Sequence, residues 1–292
     1  MRIKNFLFSY KNILKKEIEK KKYFSFLRKI INLFLKYFLN TLKKYFSKKL
    51  NNLDNVDNEY LFKKNLDSLF IHFNTDKGKS FKIESNKVIN SHNYSLFYEK
   101  YLQKFKEKNL NFLEIGSHEG KGLASFYYYF PFAKFVGANI NPFQMRYFSE
   151  RVEEIFIDVS SKRILKNFAS YYNDRSFDVI IDDASHNLKD IIQTLPILFK
   201  KVKNNGFYVI EDINQFDAFP NLNPNNDKLT PIKMLEKIKK DENFNSPYID
   251  RNEIDYLKTN VKNIYFEKGN MILNGHHVSD IVFIEKKDIW VS

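Results

Sequence analysis

The chain contains no cysteine. That excludes disulfides, thiolate metal sites and cysteine nucleophiles, and it fits a reducing compartment such as the cytoplasm. The N-terminus lacks the apolar core and small-residue cleavage site of a secretory signal. Net charge is missing from most of the chain. The formal total is +13, but residues 1–50 hold 15 Lys or Arg and 2 Glu, and the 33 basic and 33 acidic residues that remain cancel. A nucleic-acid binder carries a basic stripe on its folded body. This body has no such excess, so no nucleic-acid partner is expected.

The basic segment has its own pattern. From Phe24 to Phe46, Leu27, Ile30, Ile31, Phe34, Phe38, Leu42 and Tyr45 recur at steps of three and four, with Lys29, Asn32, Lys36, Asn40 and Lys43 opposite. That periodicity predicts an amphipathic helix. Its lysines divide it into short apolar runs, so it should not span a bilayer. Two readings stand side by side. One is docking on an anionic membrane surface, which would put the protein at the inner face of the membrane. The other is packing on its own domain or on another subunit, as in a homo-oligomer. The polar stretch 51–59 reads as a linker or loop.

From Asn111 onward, strand-like and helix-like segments alternate. Strands are expected at 111–116, 133–140, 154–159, 177–183 and 206–212. Helices are expected at 121–130, from Asn141-Pro142 to Val152, at 161–172 and 187–202, and from Thr230-Pro231 to Lys240. Two late strands, 261–267 and 280–285, face each other as a hairpin. The fold class is therefore α/β, a doubly wound and mostly parallel sheet closed by an antiparallel β-hairpin.

Two acidic clusters end the fourth and fifth strands, Asp182-Asp183-Ala184-Ser185-His186 and Glu211-Asp212. If the strands are neighbours, up to four carboxylates crowd one sheet edge, and a divalent cation would relieve their repulsion. Adjacent strand residues point to opposite faces, so Asp182 and Asp183 should not serve the same ligand. A glycine-bearing loop, Glu114-Ile115-Gly116-Ser117-His118-Glu119-Gly120, opens the first helix, where backbone can approach a ligand.

That loop resembles motif I of class I S-adenosylmethionine-dependent methyltransferases. The acid clusters, with Gln193 and Gly206 to Asp212, resemble the metal-dependent macrocin- and mycinamicin-type sugar O-methyltransferases and their cephalosporin-hydroxylase-like relatives. Thr75-Asp76-Lys77-Gly78 and His92-x-Tyr94 are shorter upstream matches. The resemblance runs from about Phe73 to the end and implies a Rossmann-like fold; together with the basic segment and the polar stretch it divides the chain into a helical extension (1–50), a linker and cap (51–106) and a methyltransferase domain (107–292). It implies S-adenosylmethionine and Mg²⁺ as cofactors and a sugar hydroxyl as acceptor; joined to the membrane-docking reading of residues 1–50, that acceptor would belong to a surface polysaccharide or glycolipid. By the same resemblance, Glu114, Gly116, Ser117 and Gly120 hold the cofactor. Asn139 stands where the family usually has a ribose-binding acid, and Asp158 either stands by the adenine or caps the helix that follows. Asp183, Glu211 and Asp212 hold the metal, and His186 is the general base. Asp182 touches cofactor or caps a helix. The Asp/Asn-Pro-Pro-aromatic motif of base N-methylation is absent. Methylation of a non-sugar hydroxyl, or a catalytically weakened membrane-associated binding protein, are the alternatives. Deletion of residues 1–50 is expected to abolish co-sedimentation with anionic liposomes; an unchanged bound fraction rejects membrane docking.

Overall fold

The computed structural model describes residues 51–82, 88–141 and 144–288, together with Ile31. The amphipathic pattern of residues 24–46 thus lies outside the described residues except at that one position, and so does Pro142. Among the described residues no helix is long and apolar enough to cross a membrane.

Seven strands build the central sheet: β1 (Asn111–Ile115), β2 (Lys134–Asn139), β3 (Val152–Phe156), β4 (Phe177–Asp182), β5 (Val202–Ile210), β6 (Val261–Lys268) and β7 (Asp280–Lys286). Their spatial order is β3-β2-β1-β4-β5-β7-β6. β1 to β5 pair in parallel, and β7 runs antiparallel to both β5 and β6. The chain order reverses between β1 and β4, which opens a crevice at the carboxyl ends of those two strands.

The strand residues alternate between two apolar faces, as a sheet covered on both sides requires. Phe112, Val179, Ile181, Val209 and Phe283 pack with α1 (Leu66–Phe73), α2 (Ser95–Leu102) and α3 (Lys121–Tyr129). Leu113, Ile180, Tyr208, Ile210 and Ile284 pack with α4 (Lys162–Ala169), α5 (Leu188–Phe199), α6 (Pro231–Lys239) and α7 (Arg251–Asn260). Local caps set several of these ends. Thr230 accepts from the Lys233 amide just ahead of Pro231, and Asp250 with Glu253 forms a capping box.

Three segments depart from the sequence expectation. No α-helix forms over residues 144–151. The backbone there is tied to the N-terminal cap instead: the Leu53 amide donates to the Phe148 carbonyl at 2.8 Å, and the Phe148 amide to that of Asn51 at 3.2 Å. The polar stretch 51–59 is likewise not a free linker. Asn55 caps a 3₁₀ helix, Val56–Lys63, and Leu53 is buried. Its polar groups are acceptors for α3, with the Tyr127 hydroxyl 2.6 Å from Asp54 and the Tyr128 hydroxyl 2.8 Å from the Leu53 carbonyl. Helix α7 was not expected at all, because its residues Arg251 to Asn260 show only a weak apolar stripe.

At the far end of the sheet the buried Lys286 ammonium donates to the carbonyls of Phe199, Lys200 and Val202 at 3.0, 3.2 and 2.8 Å. It closes the C-terminus of α5, whose last carbonyls have no helical partner. Lys286→Met should strand those acceptors and lower the unfolding free energy by about 2 kcal/mol in urea titrations; an unchanged midpoint would show that other donors close this end.

Candidate active site

The chain reverses after α1 because Asn74 adopts a left-handed conformation (φ 54°) and the Thr75 amide returns to the Phe70 carbonyl at 3.0 Å. Residues 75–78 then cross the carboxyl edge of the sheet. Residues 91–94 lie against them, with the His92, Asn93 and Tyr94 amides bonded to the Asp76, Gly78 and Lys77 carbonyls at 3.1, 2.8 and 2.8 Å. This pairing delivers Lys77, His92 and Tyr94 to the acid clusters.

Lys77 is the centre of the resulting network. Its buried ammonium lies 2.6 Å from Asp183 Oδ2, 2.5 Å from Glu211 Oε2 and 3.7 Å from Glu114 Oε1. Burial alone would depress its pKa, but the carboxylates of Asp183, Glu211 and Glu114 outweigh that and hold it well above the usual lysine range. The other Glu211 oxygen accepts from the Tyr98 hydroxyl. Asp212 accepts from the Tyr94 hydroxyl at 2.5 Å and has His92 Nδ1 at 3.2 Å. Burial pushes both Glu211 and Asp212 upward, against Lys77 for the first and His92 for the second. The positive charge that the crowded acids require is thus supplied in large part by a lysine from the cap.

Asp183 faces two ways. Its Oδ2 holds Lys77, while its Oδ1 lies 3.6 Å from His186 Nε2. One donor atom each from Asp183, His186 and Asp212 falls within 4.8 Å of the others. His186 and Asp212 both take left-handed backbone (φ 52° and 51°), which turns the chain sharply at these two residues. Two carboxylates converging on one point are hard oxygen donors of the kind that Mg²⁺ takes. Glu211 stands behind this set with both oxygens engaged by protein donors.

A cavity of about 1110 Å³ runs from the glycine loop to Asp183 and His186. It exceeds the ~300–1,000 Å³ that holds one small ligand. Gly116, Ser117, Asn139, Asp158, Asp183 and His186 line it, and Ile71, Asp76, Phe81 and Lys82 form the opposing cap wall. Gly116 has φ 87°, and a Cβ there would lie 1.9 Å from the Asp183 carbonyl oxygen, so only glycine fits between the ends of β1 and β4. Gly120 (φ 82°) stands at the start of α3, where a Cβ would meet the Met145 sulfur at 2.0 Å. Buried Ser117 Oγ and Glu114 Oε2 have no protein partner. Glu114 is pushed up to about 7 by burial, against the pull of Lys77. These orphaned atoms at the glycine loop are what a polar ligand would satisfy.

The remaining expected positions are more occupied. Asn139 Oδ1 accepts from the Ile140 amide at 2.8 Å, and its Nδ2 has Gln144 Oε1 at 3.3 Å. Asp158 accepts from the Ser160 amide and hydroxyl at 3.1 and 2.6 Å. Helix α4 is capped by Ser161, not by Asp158. Asp182 lies on the Ile180–Tyr208 face and accepts from the Tyr208 hydroxyl at 2.8 Å, away from Asp183. Lys77, His92, Tyr94 and Tyr98 carried no role in the sequence reading. Lys77 and His92-x-Tyr94 sat in short motifs there, but nothing local pairs them with acids more than a hundred residues away.

Residues 106–270 match the protein family described as a methyltransferase domain. One curated relative is the 8-demethyl-8-alpha-L-rhamnosyl tetracenomycin-C 2'-O-methyltransferase of Streptomyces olivaceus, 26% identical over 129 residues, which are 42% of this chain and 33% of that one. Another is the L-olivosyl-oleandolide 3-O-methyltransferase of Streptomyces antibioticus, 29% identical over 139 residues, 45% of this chain and 35% of that one. The chain spans about a third of the length of the curated relatives it matches. Among solved structures, the MycE methyltransferase of mycinamycin biosynthesis, in complex with Mg and SAH, aligns with TM-score 0.56 and 20% identity over 77% of this chain and 55% of that one. The same protein with Mg, SAH and mycinamycin VI aligns equally, at 21% identity. At that identity the likeness is one of fold.

Burial pushes Asp182 from its ordinary 3.8 up to about 6, despite the Tyr208 hydrogen bond. The folded form therefore keeps a proton that the unfolded form releases, and stability falls as pH rises from about 4 to 6. The full loss, complete above pH 6, is about 3 kcal/mol. Asp182→Asn should remove that slope and melt higher than the parent at pH 7.5 but not at pH 4; identical pH profiles would contradict the assignment.

Proposed function

The chain belongs to the methyltransferase domain family, and we propose that it is an O-methyltransferase that moves the methyl group of S-adenosylmethionine to a sugar hydroxyl. The observation that carries the reading is the continuity of one cavity from Gly116 and Ser117 to Asp183 and His186. A donor seated at the glycine loop and an acceptor seated at the acids would share that space, so orientation can lower the barrier by making the transfer effectively intramolecular. When bound, S-adenosylmethionine supplies an electrophilic methyl group, and Mg²⁺ supplies a charge that favours the alkoxide form of a hydroxyl.

The chain's own residues divide the work. Glu114, Gly116 and Ser117 would receive the donor, with Gly120 shaping the turn and Asn139 and Asp158 further along the cavity. Asp183 and Asp212 would hold Mg²⁺, with Glu211 directly behind them. His186, whose Nε2 lies 3.6 Å from Asp183 Oδ1, would take the acceptor proton. Asp182, bonded to Tyr208, would stiffen the end of β4.

The sugar acceptor is supported by the acceptors named for the two Streptomyces relatives. A lipid-linked or polysaccharide intermediate joins that chemistry to a membrane-surface role for residues 1–50. A second reading draws on Asn139, whose amide oxygen is already bonded to Ile140: a methyltransferase-like binding protein with weakened catalysis. Titration calorimetry with S-adenosylmethionine separates the two. Micromolar binding together with methyl transfer to a member of a nucleotide-sugar and lipid-linked-sugar panel supports the enzyme, and no heat with or without Mg²⁺ rejects it. His186→Ala should then reduce turnover at least 100-fold and leave donor affinity within threefold; retained turnover would remove His186 from the mechanism.

A further inference from the structure

We infer that Lys77 is a positioning residue that withdraws Glu211 from the metal-binding set and thereby sets how tightly a divalent cation is held. This rests on the metal reading above. Lys77 Nζ contacts Glu211 at 2.5 Å and Asp183 Oδ2 at 2.6 Å. Tyr98 takes the second Glu211 oxygen. Both oxygens of Glu211 are then held by protein donors, and turning one toward a cation on the cavity side would break one of those bonds. Glu211 is also absent from the group of donor atoms that converge, which is Asp183, His186 and Asp212.

The electrostatics point the same way. A fixed ammonium against one oxygen of Asp183 repels a second cation at the other and lowers the charge that the site presents. The site therefore has two acidic carboxylates of its own and one built-in competitor. That arrangement favours a weakly held, exchangeable hard cation over a permanently bound one. Lys77 comes from the cap, so the cap tunes the chemistry of a sheet edge to which it contributes no carboxylate.

Manganese binding to the full-length protein, followed by electron paramagnetic resonance of free Mn²⁺, tests this without any turnover. Lys77→Met is expected to bind Mn²⁺ at least tenfold more tightly, because Glu211 is released as a ligand. Glu211→Gln should cost less than tenfold in affinity, through the less-neutralised Lys77 alone, and K77M/E211Q should lose most of the gain seen in K77M. Lys77→Arg should behave as the parent. A tenfold or greater loss of affinity in Glu211→Gln would overturn the inference, as would a Lys77→Met that binds no more tightly than the parent. Glu211→Gln keeps charge burial low, so it decides the matter even if Lys77→Met fails to fold. If neither the parent nor any variant binds Mn²⁺, the metal reading of the site falls together with this inference; parent binding with an unaltered Lys77→Met removes the inference alone.

Discussion

A single buried ammonium holds the working edge of this protein together. Lys77 sits among Glu114, Asp183 and Glu211, which come from the ends of three neighbouring strands. Unpaired, such buried carboxylates would have to take up protons or distort the strand ends. Paired, they fix the relative height of β1, β4 and β5. The lysine is presented by the cap, and its placement depends on the turn after α1 and on the backbone pairing of residues 76–79 with 91–94. Folding of the cap and formation of the site are in this sense one event.

The division of the cavity follows from the sheet. Reversal of strand order between β1 and β4 opens the crevice, and Gly116 lets the two strand ends approach until only a glycine fits. Toward β2 and β3 the lining is Asn139, Ile140, Ile157, Asp158 and Val159. Toward β4 and β5 it is Asp183, His186 and the acids behind them.

Much of this was legible in sequence because it is local. Apolar runs ending in acids gave the parallel strands, Thr230-Pro231 gave a helix start, and the glycine loop lay where a strand meets a helix. The late hairpin of β6 and β7 was equally clear. What could not be read is non-local. Lys77 and Glu211 are separated by 134 residues, and no periodicity reports such a pairing. The expected helix after Asn141 failed for the same reason, since the Phe148 backbone found partners at Asn51 and Leu53. Asp182 and Asp183 show the intermediate case: alternation along β4 separates them correctly, but only Tyr208 reveals what Asp182 does.

Under the proposed function, one edge of the sheet combines a donor cavity at the glycine loop with a cation site bounded by Lys77. Crystals grown with S-adenosylhomocysteine and Mn²⁺, and measured at the manganese absorption edge, address both halves. Ligand density over Gly116 is expected, with one anomalous peak within coordination distance of Asp183 and Asp212 and Lys77 still bonded to Glu211. A peak coordinated by Glu211 with Lys77 displaced, or a cavity filled by ligand with no peak near Asp183, would contradict that arrangement.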